Sequence, residues 1–388
     1  MLYHFQVKKS DENQLRIEAV SNRSSRESFI RVPWTVHAGD PCWVPPLLME
    51  RREALSPKNP FFEHADWQGW TAWRGNRAIG RISAQIDHLY LETHDPHTGF
   101  FGLLEAVDDA EVFAALFGAA ETWLRERGMR RSLGPFNLGI NQEAGLLVEG
   151  FDTRPRIMMP YGRPYYGPAV EALGYRKEQD LLAYDVDDAG FSMPEAMRRM
   201  LKRQSAVIRE RPFERRHRTR DLGIMRDIFN DAWAGNWGFV PFTEAEFQAV
   251  GKELLMILPD TFIRIAEVDG EPAAFLVMLP DVNEAIADLD GRLLPFGWLK
   301  LLWRLKVRFP STVRIALMGV RQKYQFTRLG PALAILTMDA AVGPARRRGV
   351  QQAEMSWILE SNQGMRNIIE RIGGRVTRRY RMYGRDLE

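Results

Sequence analysis

A strand, a glycine-containing turn and an apolar helix follow one another late in the chain, at residues 313–321, 327–332 and beyond. The first amides of a helix have no partner inside it, and the helix dipole adds partial positive charge. Such a turn can therefore hold a pyrophosphate. Pro331 suits the first helical position, where its missing N–H costs nothing. The spacing predicts an anion site at Gly330, although similar turns also precede helices that bind nothing.

The residues after this turn predict three further elements. Residues 352–359 have the pattern of a strand, and Asn362 can cap a helix that ends at Gly373. Residues 376–383 then predict a last strand. The order strand, glycine turn, helix, strand, Asn-capped helix and strand resembles the C-terminal half of the GNAT acyltransferase fold.

The resemblance implies an acyl-coenzyme A donor, whose pyrophosphate is held in GNAT proteins by an Arg/Gln-x-x-Gly-x-Gly/Ala turn. The strand before the turn would diverge from its neighbour and admit the pantetheine arm. The residues that the resemblance assigns to the donor are Val320, Arg321, Arg328, Leu329, Gly330, Pro331, Ala332 and Asn362. Thr327 departs from the family pattern, because Arg or Gln is usual at its position.

A second departure concerns the acid that protonates the leaving thiolate. The tyrosine that supplies this proton in the family corresponds to Ile369 here. Tyr380 and Tyr383 on the last strand are the alternative candidates. Because they are three residues apart on a strand, at most one of them can face the cleft.

Residues 70–133 predict an earlier copy of the same core. A hairpin at 70–85, a strand at 98–105, a helix at 110–127 and a strand at 130–133 follow the same order. The turn after the third strand, residues 105–109, carries three carboxylates and no glycine. Negative charge there repels a pyrophosphate, so we expect a degenerate copy that holds no donor.

These elements predict an α/β (α+β) protein with tandem GNAT-like domains, each a mixed, mainly antiparallel central sheet flanked by helices. The N-terminal domain is assigned to residues 1–188 and the donor-binding domain to residues 189–388. A linker at 187–190 leads to a basic helix predicted at 194–210. That helix presents a solvated face, or it contacts an acidic membrane surface or the 3′-phosphate of coenzyme A; the sequence leaves these alternatives open.

A polar loop between two apolar segments contains the residues predicted to act in catalysis. Amide formation from a thioester needs a base, donors for the oxyanion and an acid for the thiolate. Glu143 is the candidate base, and Asn137 and Asn141 are candidate substrate contacts. A structural network of Asx turns is the alternative. Trp237 and Phe239 are candidates for an acceptor wall, with core packing as their alternative.

An insert at residues 291–309 has an amphipathic pattern. On a helix over 298–308 the apolar side chains share one arc, formed by Trp298, Leu299, Leu301, Leu302, Trp303 and Leu305. The cations Lys300, Arg304 and Arg308 lie opposite. Helices that lie on a bilayer have this form, and tryptophan favours the headgroup layer. Trp298 and Trp303 are therefore candidate contacts to lipid or to an acyl chain; packing on the protein's own core is the alternative.

Further motifs narrow the resemblance and cover most of the chain. They are Val44-Pro-Pro-Leu47, Asn59-Pro-Phe-Phe-Glu-His64, Gly134-Pro-Phe-Asn137, Asn141-Gln-Glu-Ala-Gly145, Gly150-Phe-Asp152, Pro164-Tyr-Tyr166, Asn236-Trp-Gly-Phe-Val-Pro241 and Glu354-Met-Ser-Trp-Ile-Leu-Glu-Ser-Asn362. With these motifs the chain resembles the two-domain bacterial GNAT-like group that includes bacterial ceramide synthase. Members of that kind join an acyl group from a thioester to a sphingoid amine.

Composition excludes several other classes of protein. The single cysteine, Cys42, excludes an internal disulfide and fits a reducing compartment. A net charge of +3 does not by itself indicate nucleic acid, and no apolar run is long enough to span a bilayer. Residues 1–10 lack the pattern of a signal peptide. His94 and His97 lack the spacing of metal ligands on a defined element, so no metal is expected. The predicted location is cytoplasmic, with peripheral contact between the insert and an anionic inner membrane.

The sequence therefore predicts an acyl-CoA-dependent N-acyltransferase that acts on a primary amine, with a long-chain sphingoid amine as the expected acceptor. Two alternatives remain. One is a transferase that uses aminoacyl-tRNA, as in peptidoglycan-bridge synthesis, with the arginines at 198–220 on nucleic acid. The other is a non-catalytic, membrane-associated GNAT-like protein, which the departures at Thr327 and Ile369 would suit.

Overall fold

A computed structural model of the protein describes residues 14–187, 193, 195–204 and 206–388. The predicted domain boundary between residues 188 and 189 lies outside the described residues, as does most of the predicted linker. We refer to the chain before and after this point as the N-terminal and C-terminal halves.

The N-terminal half contains nine strands and five α-helices within its described residues. Its strands are β1 (Leu15–Ala19), β2 (Ala65–Arg74), β3 (Arg77–Asp87), β4 (Thr98–Ala106), β5 (Arg131–Gly134), β6 (Phe136–Asn137), β7 (Glu143–Ala144), β8 (Leu146–Glu149) and β9 (Arg176–Asp187). Its helices are α1 (Arg23–Val36), α2 (Leu48–Ala54), α3 (His88–Thr93), α4 (Ala110–Arg125) and α5 (Tyr166–Ala172).

The C-terminal half repeats this order of elements from β10 onward. Its strands are β10 (Ile208–Pro212), β11 (Ile263–Val268), β12 (Glu271–Pro280), β13 (Thr312–Val320), β14 (Gln352–Leu359) and β15 (Arg375–Asp386). Its helices are α6 (Glu195–Arg203), α7 (Arg218–Trp233), α8 (Glu244–Ile257), α9 (Val282–Ile286), α10 (Gly297–Trp303), α11 (Gln322–Gln325), α12 (Leu329–Arg346) and α13 (Gln363–Arg371).

One continuous sheet joins thirteen of the described strands. Twelve of them run in the order β1-β2-β3-β4-β5-β15-β9-β14-β13-β12-β11-β10, and β8 pairs with β15 beside this path. Neighbouring strands are antiparallel except for two parallel pairs, β4–β5 and β13–β14, one in each half. The predicted fold class, a mixed and mainly antiparallel sheet flanked by helices, is confirmed.

The two halves exchange their last strands. β9 ends the N-terminal half but lies between β14 and β15, whereas β15 ends the chain and lies between β5 and β9. Residues 375–384 of β15 pair with residues 176–185 of β9 at the centre of the sheet. The exchange was not predicted. It means that neither half can complete its sheet without a strand from the other.

Local sequence signals fix where three of the helices, α4, α8 and α13, begin. Asp109 accepts the amide of Glu111 and starts α4, and Thr243 forms a reciprocal capping box with Glu246 at α8. Asn362 accepts the amide of Met365 at the start of α13, as the sequence predicted. The helical starts therefore follow from short polar residues ahead of apolar runs.

Two predicted helices differ from the structure. The basic helix ends at Arg203, and Ile208–Pro212 forms β10, which pairs with β11. In the insert, α10 covers only seven residues and continues as a short π-helix at Arg304–Arg308. In the part of the chain that the structure describes, no helix has both the length and the apolarity to cross a bilayer.

His64 joins the two halves through two carboxylates. Its Nδ1 lies 3.0 Å from Asp87 Oδ1 in the N-terminal half, and its Nε2 lies 3.2 Å from Glu246 Oε1 on α8. Burial alone would lower the pKa of His64, but the two carboxylates raise it to about 10. The imidazole is therefore charged at neutral pH and bridges the halves.

We expect the His64 bridge to make stability depend on pH. Because the pKa is raised on folding, from 6.5 to about 10, the stabilisation is complete below pH 6.5. It is lost progressively as the pH rises toward 10. Urea unfolding at several pH values should show a steeper loss of stability for the native protein than for His64→Gln over this range. Parallel curves for the two proteins would contradict the bridge.

Candidate active site

The strands β13 and β14 separate partway along their length. Residues 312–315 pair in parallel with residues 352–355, and the pairing stops there. Beyond this point β13 continues against β12 as far as Val320, while β14 shifts its register and continues against β9. The diverging strands open a cleft in the middle of the C-terminal half.

An apolar cavity occupies this cleft. It contains about 970 Å³ of space outside protein atoms, including its open mouth. The strands contribute Ala316, Leu317, Trp357 and Leu359 to its walls. Helices α7 and α8 and the loop between them add further apolar side chains, namely Phe229, Trp233, Trp237, Phe239, Phe242, Val250 and Leu254. The cavity therefore suits a long apolar group.

A buried arginine supplies the charge at the wall of the cavity. Arg314 on β13 lines it and is 2% exposed. Its Nε donates to Ser356 Oγ at 2.9 Å, and its Nη1 donates to the carbonyl of Ile157 at 3.1 Å. The guanidinium also lies 5.0 Å from the centre of the Trp357 ring. These contacts fix a positive charge where the two strands begin to diverge.

Glu354 lies beside this arginine on β14. Its Oε1 accepts from Ser356 Oγ at 2.7 Å, and its Oε2 accepts from Arg378 Nη1 at 2.7 Å. Glu354 is fully buried, and burial raises its pKa although Arg378 and Arg314 both act to lower it. A carboxylate with a raised pKa next to a cleft is suited to accept a proton. Glu354 belongs to one of the motifs that carry the family resemblance, but the sequence pattern did not predict a catalytic role for it.

The two candidate tyrosines lie in different cores. Tyr380 packs in the cluster that includes Leu181 and Met382, both of which line the cavity. Its hydroxyl is buried and has no hydrogen-bond partner among the described residues, and burial together with Glu354 raises its pKa. Tyr383 packs in the N-terminal core instead, and its hydroxyl donates to Glu171 at 2.9 Å. Of the two, Tyr380 is the one near the cleft.

Glu143 is held in a structural network, and it does not line the cavity although its neighbours Gln142 and Ala144 do. Its Oε1 accepts from Arg51 at 3.0 Å, and its Oε2 accepts from Asn137 Nδ2 at 3.0 Å. Burial would raise its pKa, but Arg51 and Asn137 hold the pKa of Glu143 below its usual range. Asn137 in turn accepts the amide of Leu103. Both carboxylates accept from a guanidinium, but the pKa of Glu354 is raised whereas that of Glu143 is lowered, and Glu354 lies beside Arg314 of the cavity wall. Glu354 therefore replaces Glu143 as the candidate base.

The other predicted substrate residues divide between cavity and surface. Asn141, Trp237 and Phe239 line the cavity, and Asn141 Nδ2 donates to the carbonyl of Val240 at 2.9 Å. Trp298 and Trp303 lie on the surface instead and are 47% and 52% exposed. The last two therefore cannot contact a group inside the cleft in this structure.

The turn before α12 differs from the predicted anion site. The helix begins at Leu329, so Pro331 is its third residue rather than its first. The amide of Leu329 donates to Thr327 Oγ1 at 3.1 Å, and the amide of Gly330 donates to the Thr327 carbonyl at 3.3 Å. Since Pro331 has no N–H, these residues do not fit a pyrophosphate in the way that the turn motif requires.

Gly330 has a structural role at this corner. A Cβ on it would lie 2.7 Å from the carbonyl oxygens of both Gln325 and Tyr324. Any side chain there would displace α11, so a substitution of Gly330 would report on folding rather than on an anion.

The remaining residues that were predicted to bind the donor take part in backbone pairing, in the core or in the surface. Val320 pairs with Ala274, and Arg321 Nε donates to the carbonyl of Pro272 at 2.8 Å. Ala332 is buried in α12, whereas Arg328 is exposed at its start. Among the residues assigned to the donor, Arg328 is thus the charged side chain directed to solvent.

The corresponding cleft of the N-terminal half is filled by its own chain. A Cβ on Gly102 of β4 would lie 1.7 Å from the carbonyl oxygen of Phe136, so β6 packs directly against that strand. Asp109 occupies the start of α4, where it accepts a backbone amide and pairs with Arg74 at 2.9 Å. Both the cleft and the helix start of the N-terminal half are therefore occupied by groups of the chain itself.

Comparison with known proteins adds to this geometry. No family model matches the chain. Protein YghO of Escherichia coli (strain K12) is 49% identical over 366 residues, which cover 94% of this chain and 94% of that protein. The bacterial ceramide synthase of Caulobacter vibrioides (strain NA1000 / CB15N) is 46% identical over 383 residues, covering 97% of this chain and 99% of that enzyme. The chain belongs to the bacterial ceramide synthase family.

Solved structures place this ceramide synthase family member in the GNAT fold. A tandem GNAT protein from the clavulanic acid biosynthesis pathway has a TM-score of 0.56 at 11% identity, covering 97% of this chain and 99% of that chain. A GCN5-related N-acetyltransferase from Sphaerobacter thermophilus has a TM-score of 0.53 at 13% identity, covering 96% of each chain. The predicted tandem GNAT-like fold and the predicted class of N-acyltransferase are confirmed.

Proposed function

We propose that the protein transfers a long-chain acyl group from a thioester to the amino group of a long-chain, sphingoid-type base at a membrane surface. The observation that carries this proposal is the apolar cavity between β13 and β14, with Arg314 in its wall and Glu354 beside that arginine. The identity with a bacterial ceramide synthase supports the same substrate class. Acyl-CoA is the donor that the GNAT resemblance implies.

Each chemical step has a candidate group in the wall of the cleft or buried behind it. The amine must lose a proton as its nitrogen attacks the thioester carbon, and Glu354 is positioned to accept that proton. Arg314 supplies positive charge for the oxyanion that forms. When the carbon–sulfur bond breaks, the thiolate takes up a proton, and the unpaired hydroxyl of Tyr380 is the candidate donor.

An assay of the purified protein tests this function. Palmitoyl-CoA is incubated with sphinganine, with a short primary amine or with a free amino acid, and the products are analysed by mass spectrometry. We expect the N-palmitoyl amide of sphinganine in excess over the other amides. Equal acylation of the short amine would contradict the acceptor class, and the absence of any amide with all donors and acceptors would contradict the function.

The insert supports the membrane part of the proposal. Its surface, which we call the insert patch, exposes Leu294, Phe296, Trp298, Leu299, Leu302, Trp303 and Val307. The predicted apolar arc is divided, because Leu305 faces the core while the tryptophans face outward. Lys300 and Arg304 pair with Asp288, so the exposed Arg292, Lys306 and Arg308 are the cations beside the patch. Exposed tryptophan next to cations suits an anionic bilayer.

We expect the double variant Trp298→Ser/Trp303→Ser to lose most binding to vesicles that contain anionic lipid. The two rings supply a large apolar area, and indole favours the headgroup layer. Co-sedimentation with vesicles measures the effect, and Val376→Ser removes an exposed apolar side chain on β15 as a control. Unchanged binding of the double variant would contradict the role of the patch.

The aminoacyl-tRNA alternative receives little support from the basic segment. Arg211 pairs with Asp221 at 2.8 Å, and Arg220 pairs with Glu214 at 2.9 Å. These charges are used inside the protein, which leaves fewer for a phosphate backbone.

A further inference from the structure

The cleft between β13 and β14 can accept one part of an acyl-CoA donor, whereas the start of α12 is poorly suited to the other part. The cleft between β13 and β14 is open and can admit a pantetheine arm. At the start of α12, however, Thr327 accepts the amides that a pyrophosphate would need, through its hydroxyl and its carbonyl. The site for the pantetheine arm is thus open, whereas the amides that would bind the nucleotide end of coenzyme A are already hydrogen-bonded to Thr327.

A cationic surface surrounds this corner. Arg328 and Lys323 flank the turn and are exposed, with Lys323 paired to Glu271 at 2.7 Å, and Phe326 between them in the sequence is 98% exposed. Helix α6 contacts α12, and its Leu201 packs on the same small core as Tyr324 and Leu329. The exposed cations of α6 are Arg199, Lys202 and Arg203. We call Lys323, Phe326, Arg328 and these three residues the donor rim.

We propose that the donor rim docks a small acidic carrier protein, which presents the acyl group on a phosphopantetheine arm. The proposal rests on the proposed function, because it concerns the source of the same thioester. The single phosphate of such an arm does not require the free amides that a pyrophosphate does. The carrier offers acidic side chains to the rim instead, and complementary charge accelerates association.

The exposed phenylalanine favours a protein over a free nucleotide. A fully exposed aromatic side chain with exposed cations nearby in the chain resembles the centre of a protein interface, where aromatic anchors and arginine contribute most of the binding energy. The chemistry is unchanged, since the amine takes the acyl group and the carrier keeps the thiol.

The test compares three palmitoyl donors at equal concentration with sphinganine as acceptor. They are palmitoyl carrier protein, palmitoyl-CoA and palmitoyl-pantetheine. We expect kcat/KM with the carrier to exceed that with palmitoyl-CoA by tenfold or more, and to fall as salt is added. Equal or higher efficiency with palmitoyl-CoA would overturn the docking proposal and leave the proposed function intact. Amide from none of the three donors would instead contradict the proposed function.

Charge reversal locates the docking surface. We expect Arg199→Glu/Lys202→Glu/Arg203→Glu to lower kcat/KM with the carrier tenfold or more while the rate with palmitoyl-pantetheine stays the same. The matched control, Lys58→Glu/Arg127→Glu/Arg130→Glu, reverses three exposed charges on the N-terminal half and should change neither rate. An equal loss in the two triple variants, or no loss in either, would overturn the assignment of the rim.

Discussion

Replacing Glu354 with glutamine is expected to lower kcat for amide formation by about 10²–10⁴-fold, the usual contribution of a general base. The amide keeps the size of the side chain, and its single oxygen can still accept from Arg378, while its NH2 group takes the place of the oxygen that accepts from Ser356. It cannot take the proton of the attacking amine. As the pH falls, the native enzyme should lose activity when Glu354 becomes protonated. This loss should begin at a higher pH than for an ordinary glutamate, because burial raises the pKa of Glu354. Glu354→Gln should lack this acid limb, which a pH profile of kcat/KM measures.

Glu143→Gln is the matched control for this variant. Glu143 is another buried carboxylate that accepts from an arginine, Arg51 at 3.0 Å, but it belongs to the network that plugs the N-terminal cleft. We expect a lower melting temperature and a kcat within a few-fold of the native value. If Glu354→Gln kept more than a tenth of native kcat, or if both variants lost activity equally, Glu354 would not be the base.

Filling the cleft with a large side chain is expected to lower acyl-transfer activity by a similar factor. Ala316→Phe places a ring in the cavity between β13 and β14, where the donor arm must lie. We expect kcat/KM with a palmitoyl donor to fall about 100-fold or more. Stability should change little, because the ring enters open space rather than a packed core. Initial rates together with thermal unfolding separate the two effects.

Ala353→Phe provides the comparison for the blocked cleft. Ala353 lies on β14 and lines a separate cavity of about 450 Å³, together with Met338 of α12. The same ring on this side should leave the acyl-transfer rate within a few-fold of native. A comparable loss of activity in both variants would show that bulk anywhere on these strands is harmful and that the cleft is not specific.

The sequence was sufficient to predict most elements and part of the cavity. Periodic apolar residues and short caps gave β13, α12, β14, α13 and β15 within a few residues. Asn141, Trp237 and Phe239 were also identified, because polar and aromatic residues in loops between apolar segments must find partners or line a cleft. At the predicted anion turn, Thr327 accepts the amides of Leu329 and Gly330, an arrangement that the turn pattern did not indicate.

The remaining features depend on contacts between residues far apart in the chain. Arg314 and Glu354 sit in apolar strands, and only the pairing of β13 with β14 brings them together. The exchange of β9 and β15 joins residues nearly 200 positions apart, and no local pattern specifies such a pairing. Neither residue was predicted to act at the site, although a charge inside each apolar strand was a signal that could have identified them.

A crystal structure with an unreactive thioether analogue of palmitoyl-pantetheine tests the central claim most directly. We expect the pantetheine arm between Ala316 and Trp357, the acyl chain against Trp237 and Phe239, and the sulfur close to Arg314. Density for the analogue in the N-terminal half would contradict the account. So would a structure in which the gap between β13 and β14 is closed and the analogue binds elsewhere.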